Sequence, residues 1–249
     1  MIEILQWSTL AVCGALAAAR IPSARRGENR LLFGILLLMT VAILLSMRAP
    51  YVAIDQVLGG RNLANLILRF IIFGAILLVG IRVARAFGGR RALTLITGRA
   101  GAVALAIAGV AVIVTFLFMD TAGSSAGLEA IAAKDARNAM LVEYYGAAGR
   151  LYPSYVALVL LPATIGVLRS RLPALIRTAA LLLSVGAVAI ALSLLFPMIP
   201  PGLGILRFIV NYTAILCYVL GLALIWMAKL RAHPSPRNRR PDPAATAPD

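Results

Sequence analysis

Arg69 stands between leucine and phenylalanine in the run "NLILRFIIFG", and its type alone demands chemistry. Hydrocarbon offers a guanidinium nothing, so such a residue must find a partner, snorkel to an interface or hold an anion. If its helix opens near Asn62, Arg69 lies about 10 Å along the axis at 1.5 Å per residue. Asp55, Asp120 and Glu143 fall at the same end and are its candidate partners. Arg150 poses the same question in "EYYGAAGRLYPSY", where Glu143, Gly146 and Arg150 share one helical face. Asp55, Asn62, Arg69, Glu143 and Arg150 are therefore the candidate ligand-binding or coupling residues, the competing role for each being to fix the bundle. The nearby Tyr144, Tyr145, Tyr152 and Tyr155 are expected to form an aromatic belt at a membrane interface. The alternative is a pocket that they share with Arg69.

Other chemistry finds little to work with. The one histidine, His233, lies in a Pro-rich tail, so no Ser-His or Cys-His nucleophile pair is expected within the apolar runs. Cys13 and Cys217 sit in separate apolar runs and match no metal-ligand spacing. No paired aspartates face each other inside a run, and "GGRRALTLITGRAG" resembles a phosphate loop only in composition. No enzymatic activity, metal or cofactor is expected.

The elements that must position these residues follow from composition. The 249 residues are 61% hydrophobic and 13% charged, a surface too apolar for water. Seven apolar runs can be read: Ile2–Ala19, Leu31–Met47, Leu63–Val83, Ala100–Met119, Gly146–Leu168, Ile176–Phe196 and Ile205–Ala228. They are too long and continuously apolar for barrel strands, which predicts an all-α helical bundle with seven transmembrane helices. The first run has Glu3 before it and arginines after it, the reverse of a secretory signal, so it is expected to stay as a span. Pro162 is expected to kink the fifth helix. Residues 1–229 would form the membrane domain and residues 230–249 a disordered basic tail.

Charge sets the expected orientation. Alternate connections and the tail carry most of the Lys and Arg, leaving about +14 on one side and +1 on the other of a total of +15. That asymmetry places the amino terminus outside and the carboxyl terminus in the cytoplasm. It also removes nucleic acid as a partner, because the basic residues fall in short membrane-proximal segments suited to anionic lipid headgroups. Residues Asp120–Tyr145 form the longest polar connection on the outer side, as an interfacial helix or as an extension of the fifth span.

Tyr51, Asp55, Leu58, Gly59, Asn62, Leu63 and Ala64 in "RAPYVAIDQVLGGRNLANLI" resemble a recurring segment in actinobacterial seven-span integral membrane proteins of unknown function. That family is of transporter-like or regulator-associated type, and many of its members carry a further cytoplasmic domain. The resemblance implies seven spans with the amino terminus outside, in a bacterial plasma membrane, and lends no activity. The leading expectation is a sensor or regulatory partner with an outer-side polar pocket, signalling to a membrane or cytoplasmic protein. The alternatives are a small-solute or ion transporter and an accessory or scaffold subunit.

Overall fold

The computed structural model describes residues 2–27, 30–199 and 204–232, and every regular element among them is helical. Seven helices coincide with the seven apolar runs: α1 (Ile2–Ala19), α3 (Arg30–Ser46), α5 (Leu63–Ala86), α7 (Arg99–Phe118), α9 (Ala136–Leu168), α10 (Ala174–Leu192) and α11 (Gly204–Ala232). Between them lie the short helices α2 (Ile21–Arg25), α4 (Arg48–Val57), α6 (Arg90–Thr97) and α8 (Glu129–Ala132). Five helices are long and apolar enough to cross a membrane: α5, α7, α9, α10 with its 3-10 extension to Met198, and α11. The pair α3 and α4 qualifies only together, bent by 90°, which raises the number to six. The apolar part of α1, Gln6–Ala19, is shorter.

The bend has a local cause. Pro50 lacks an N–H, and in a continuous helix its ring would strike the carbonyl four residues back, at Ser46. Helix α3 ends at Ser46, Met47 is extended, and α4 starts with Pro50 in its first turn. The connection after the second run, from Arg48 to Val57, is thus helical. Gly59 and Gly60 then make the turn, at φ 100° and 65°. Gly60 N–H donates to the Asp55 carbonyl and Gly59 N–H to that of Gln56, a Schellman closure of α4.

Helix α9 is the hub, packing against α5, α7 and α10, while α3 joins α1 to α5 and α11 lies along α10. It runs unbroken for 33 residues through Pro153 and Pro162, where the sequence predicts a kink at Pro162. At about 50 Å it exceeds the roughly 30 Å of a hydrocarbon core. Residues 137–145 continue the helix of the fifth run, the second of the two expected forms of this connection. Helix α11 stays helical to Ala232, past the expected boundary at residue 229, and the rest of the tail, with His233, lies outside the described residues.

Small residues let the helices approach closely. A Cβ at Gly186 of α10 would lie 2.7 Å from the Tyr218 ring of α11, and one at Gly80 of α5 would lie 2.7 Å from Val156 of α9. The basic connection 87–98 folds α6 back into the bundle with Ala92 and Ile96 buried. Tyr155 of α9 donates to the Leu95 carbonyl at 2.8 Å. At the following turn a Cβ on Gly101 would collide with the Ile96 carbonyl, a backbone atom that cannot step aside. Gly101→Ala is expected to lower stability by about 1–3 kcal/mol, the usual cost of overpacking. Thermal unfolding in detergent measures it, with Gly166→Ala, which meets nothing, as the neutral control.

Candidate functional site

Two polar constellations occupy the end of the bundle where α4 meets α5 and α7 meets α9. The first is a latch built on Asp55 and Asn62, both fully buried. Asp55 Oδ2 accepts from the Asn62 N–H at 3.0 Å and the Ser124 hydroxyl at 2.6 Å, while Oδ1 accepts from the Ala64 N–H at 3.1 Å. Two of these donors are orphan N–H groups at the start of α5, where a carboxylate also meets the favourable end of the helix dipole.

Asn62 stands at the N-cap position of α5 in the left-handed region, at φ 56°. Its side chain does not cap its own helix, because it is committed elsewhere. Oδ1 accepts from the Tyr51 hydroxyl and the Ser125 N–H, each at 2.8 Å. Nδ2 donates to the carbonyls of Thr121 at 3.0 Å and Gly123 at 2.7 Å. All four capacities of the amide are used, and a flipped amide would oppose the Ser125 N–H and both carbonyls.

Next to the latch, Lys134 Nζ holds the Asp120 carboxylate at 3.0 Å and also the carbonyls of Asp120 and Ala122. Asp135 caps α9 through the Asn138 N–H at 2.7 Å. The hydrogen bonds from Lys134 and the Ala122 N–H hold the Asp120 carboxyl below its usual range, and those from Asn138 do the same for Asp135.

The second constellation gathers arginines. Arg69 of α5 lies over the Tyr145 ring at 5.0 Å, and its guanidinium rests against Gly149, where a Cβ would stand 2.8 Å from Nη1. Tyr145 in turn donates to Asn65 Oδ1 at 2.9 Å. Arg150 lies over the Phe196 ring at 4.7 Å. Glu143, two turns earlier on α9, pairs with Arg207 of α11: Arg207 Nη1 donates to Glu143 Oε1 at 2.6 Å, and Nη2 to the Ile199 carbonyl at 2.9 Å. Arg150 stands within electrostatic range of Arg69, Glu143 and Arg207. Arg150 Nη1 and Arg207 Nε are buried without a hydrogen-bond partner among the described residues.

The five sequence-predicted residues therefore divide. Arg69, Glu143 and Arg150 come together, whereas Asp55 and Asn62 are bonded to the start of α5 and to the loop 121–125. Of the four tyrosines, Tyr145 and Tyr152 are buried in the core and only Tyr144 is well exposed, so they do not form a continuous belt. Sequence reasoning missed Arg207, Ser124, Asn65 and Phe196. Arg207 carries the signal that singled out Arg69, a guanidinium near the start of an apolar run. The other three have none, being ordinary residues until packing opposes them to a charge.

Arg150 also borders an apolar cleft of ≈ 440 Å³ between α5, α9 and α11, with Met39 of α3 at its edge. Arg69 borders a smaller cavity of ≈ 210 Å³ beside Tyr51 and Asn65. Helices and site together define an all-α membrane protein with a cluster of arginines at one end of an apolar cleft. Family models, curated proteins and solved structures give no match to this chain.

Two outcomes test the latch. Asp55→Asn is expected to destabilise as strongly as Asp55→Ala, by about 2–3 kcal/mol, because an amide would turn a donor toward donors. Thermal or denaturant unfolding in detergent measures both. Carboxyls with depressed folded pKa values contribute stability that is present above the unfolded carboxylate pKa, about 3.9, and lost as pH falls through the folded values. The melting temperature is therefore expected to decline on acidification below about pH 4. Asp120→Asn should reduce that dependence.

Proposed function

We propose that the protein is a bacterial plasma-membrane sensor or regulatory partner, working by binding rather than catalysis. Seven crossings with the amino terminus outside would put the latch and the arginine cluster on the outer face and the basic connections in the cytoplasm. The observation that carries the reading is Arg150: a guanidinium with a buried unpartnered Nη1, beside Arg69 and Arg207, with Glu143 as the carboxylate within reach. An excess of half-buried cation is costly unless an anion completes it. The bound anion would stabilise one packing of α5, α9 and α11, and the change would reach a membrane or cytoplasmic partner through the connections at the opposite end.

The test is complementation of a strain lacking the gene by Arg150→Gln and Arg69→Gln, with folding checked in detergent. Arg150→Gln is expected to abolish complementation while its melting temperature stays within about 3 °C of the parent. Full complementation by both variants would sink the proposal.

A second reading, a transporter of a small solute or ion, draws on the 90° break between α3 and α4, since broken helices line many transport sites. Saturable flux in proteoliposomes of the purified protein would favour it over the first.

A further inference from the structure

The cleft beneath Arg150 has a shape that a soluble anion would not use. From Arg150 it follows α9 past Val156 to Leu160, about 15 Å at 1.5 Å per residue. Its walls are apolar almost throughout, with Ile76 and Val79 of α5 on one side and Val219 and Leu222 of α11 on the other. Its volume of ≈ 440 Å³ falls within the roughly 300–1,000 Å³ of small-molecule sites. It is only partly enclosed: α11 packs chiefly on α10 rather than on α5, and Val219 of its wall is exposed on the apolar surface of α11.

The charged end is complementary to an acid. Glu143 is already engaged by Arg207, so the three guanidinium groups outnumber it, and two buried N–H donors, on Arg150 and Arg207, have no partner among the described residues. Guanidinium donors of this kind form their strongest bonds with phosphate and carboxylate oxygens. An anion without a tail would leave the apolar walls unfilled. A neutral lipid would leave the donors unmet.

We infer that this cleft binds one anionic phospholipid entering sideways from the bilayer. Its phosphate is held by Arg150 with Arg69 and Arg207 beside it, and one acyl chain lies along Val156–Leu160 between α5 and α11. The inference rests on the anion-binding reading of the arginine cluster and names the ligand class.

The experiment measures lipid retained by the full-length protein, purified in detergent and exchanged into vesicles of phosphatidylcholine with or without phosphatidylglycerol. Native mass spectrometry reads the bound lipid. The wild-type protein is expected to retain phosphatidylglycerol in preference to phosphatidylcholine. Arg150→Gln should weaken retention about tenfold or more, the value of a charge-assisted contact. Val219→Trp should do the same by filling the cleft from a lipid-exposed position, and Arg150→Lys should restore part of the preference. Equal retention of the two lipids, wild-type retention by both Arg150→Gln and Val219→Trp, or displacement by glycerol phosphate at comparable concentration would overturn the assignment. Lost retention in Arg150→Gln with intact complementation would support the lipid site and remove the regulatory role. The two readings can therefore fail separately.

Discussion

A carboxylate buried without a cation organises one end of this protein. Asp55 is fully inaccessible, and two backbone N–H groups and one hydroxyl take the place of its hydration shell. Those donors come from the start of α5 and from residue 124, almost seventy residues away. Leaving any of them unmet in a low-dielectric interior would be expensive, so the carboxylate, the turn at Gly59–Gly60 and the loop after α7 must assemble together. Asn62 repeats the logic with an amide, joining Tyr51 to residues 121–125 through four hydrogen bonds. The 90° turn from α3 into α4 is what brings Tyr51 and Asp55 to that point.

The arginine cluster depends on this frame. Helix α5 is set in position at its first turn by Asp55, and Arg69 follows nearly two turns later, over Tyr145 of the hub helix. Gly149 leaves the room that the Arg69 guanidinium needs. Helix α9 then carries Glu143 and Arg150 on a shared face toward α11 and Phe196. The two constellations differ in kind. In the latch every polar group has its partner, which makes a rigid structural joint. In the cluster cation exceeds anion, which is the condition for receiving a ligand.

The cleft joins that charge to the bilayer. An arginine at the head of an apolar wall is matched by few ligands other than an amphiphile, and a wall partly exposed on the apolar surface of α11 would let such a ligand arrive without passing through water. Helix α11 is suited to respond, since much of its surface faces outward and its inner contacts lie largely with α10. A lipid wedged beside it would bias its position relative to α9. The basic end offers a cavity of its own, ≈ 500 Å³, where Arg30, Arg82 and Arg85 meet.

Much of the architecture was legible in one dimension. Apolar runs long enough to span, and a composition that water cannot wrap, require helices, because a helix satisfies its own backbone in lipid. The seven runs accordingly match seven helices, five of which meet the full length and apolarity of a crossing. Arg69 and Arg150 were legible too, since a charge in an apolar run is costly wherever the chain takes it, and Glu143 was legible as the acid on the helical face of Arg150. Partner choice was decided only in three dimensions. Sequence alone offered Asp55 to Arg69, whereas packing gave Asp55 to the α5 N-terminus and Ser124, and Arg69 to an aromatic face. Helices α4 and α6, the continuation of α9 through two prolines, and the role of Arg207 were settled in the same way. The physical reason is that burial sets the cost of a charge, and burial belongs to neighbours that lie far apart along the chain.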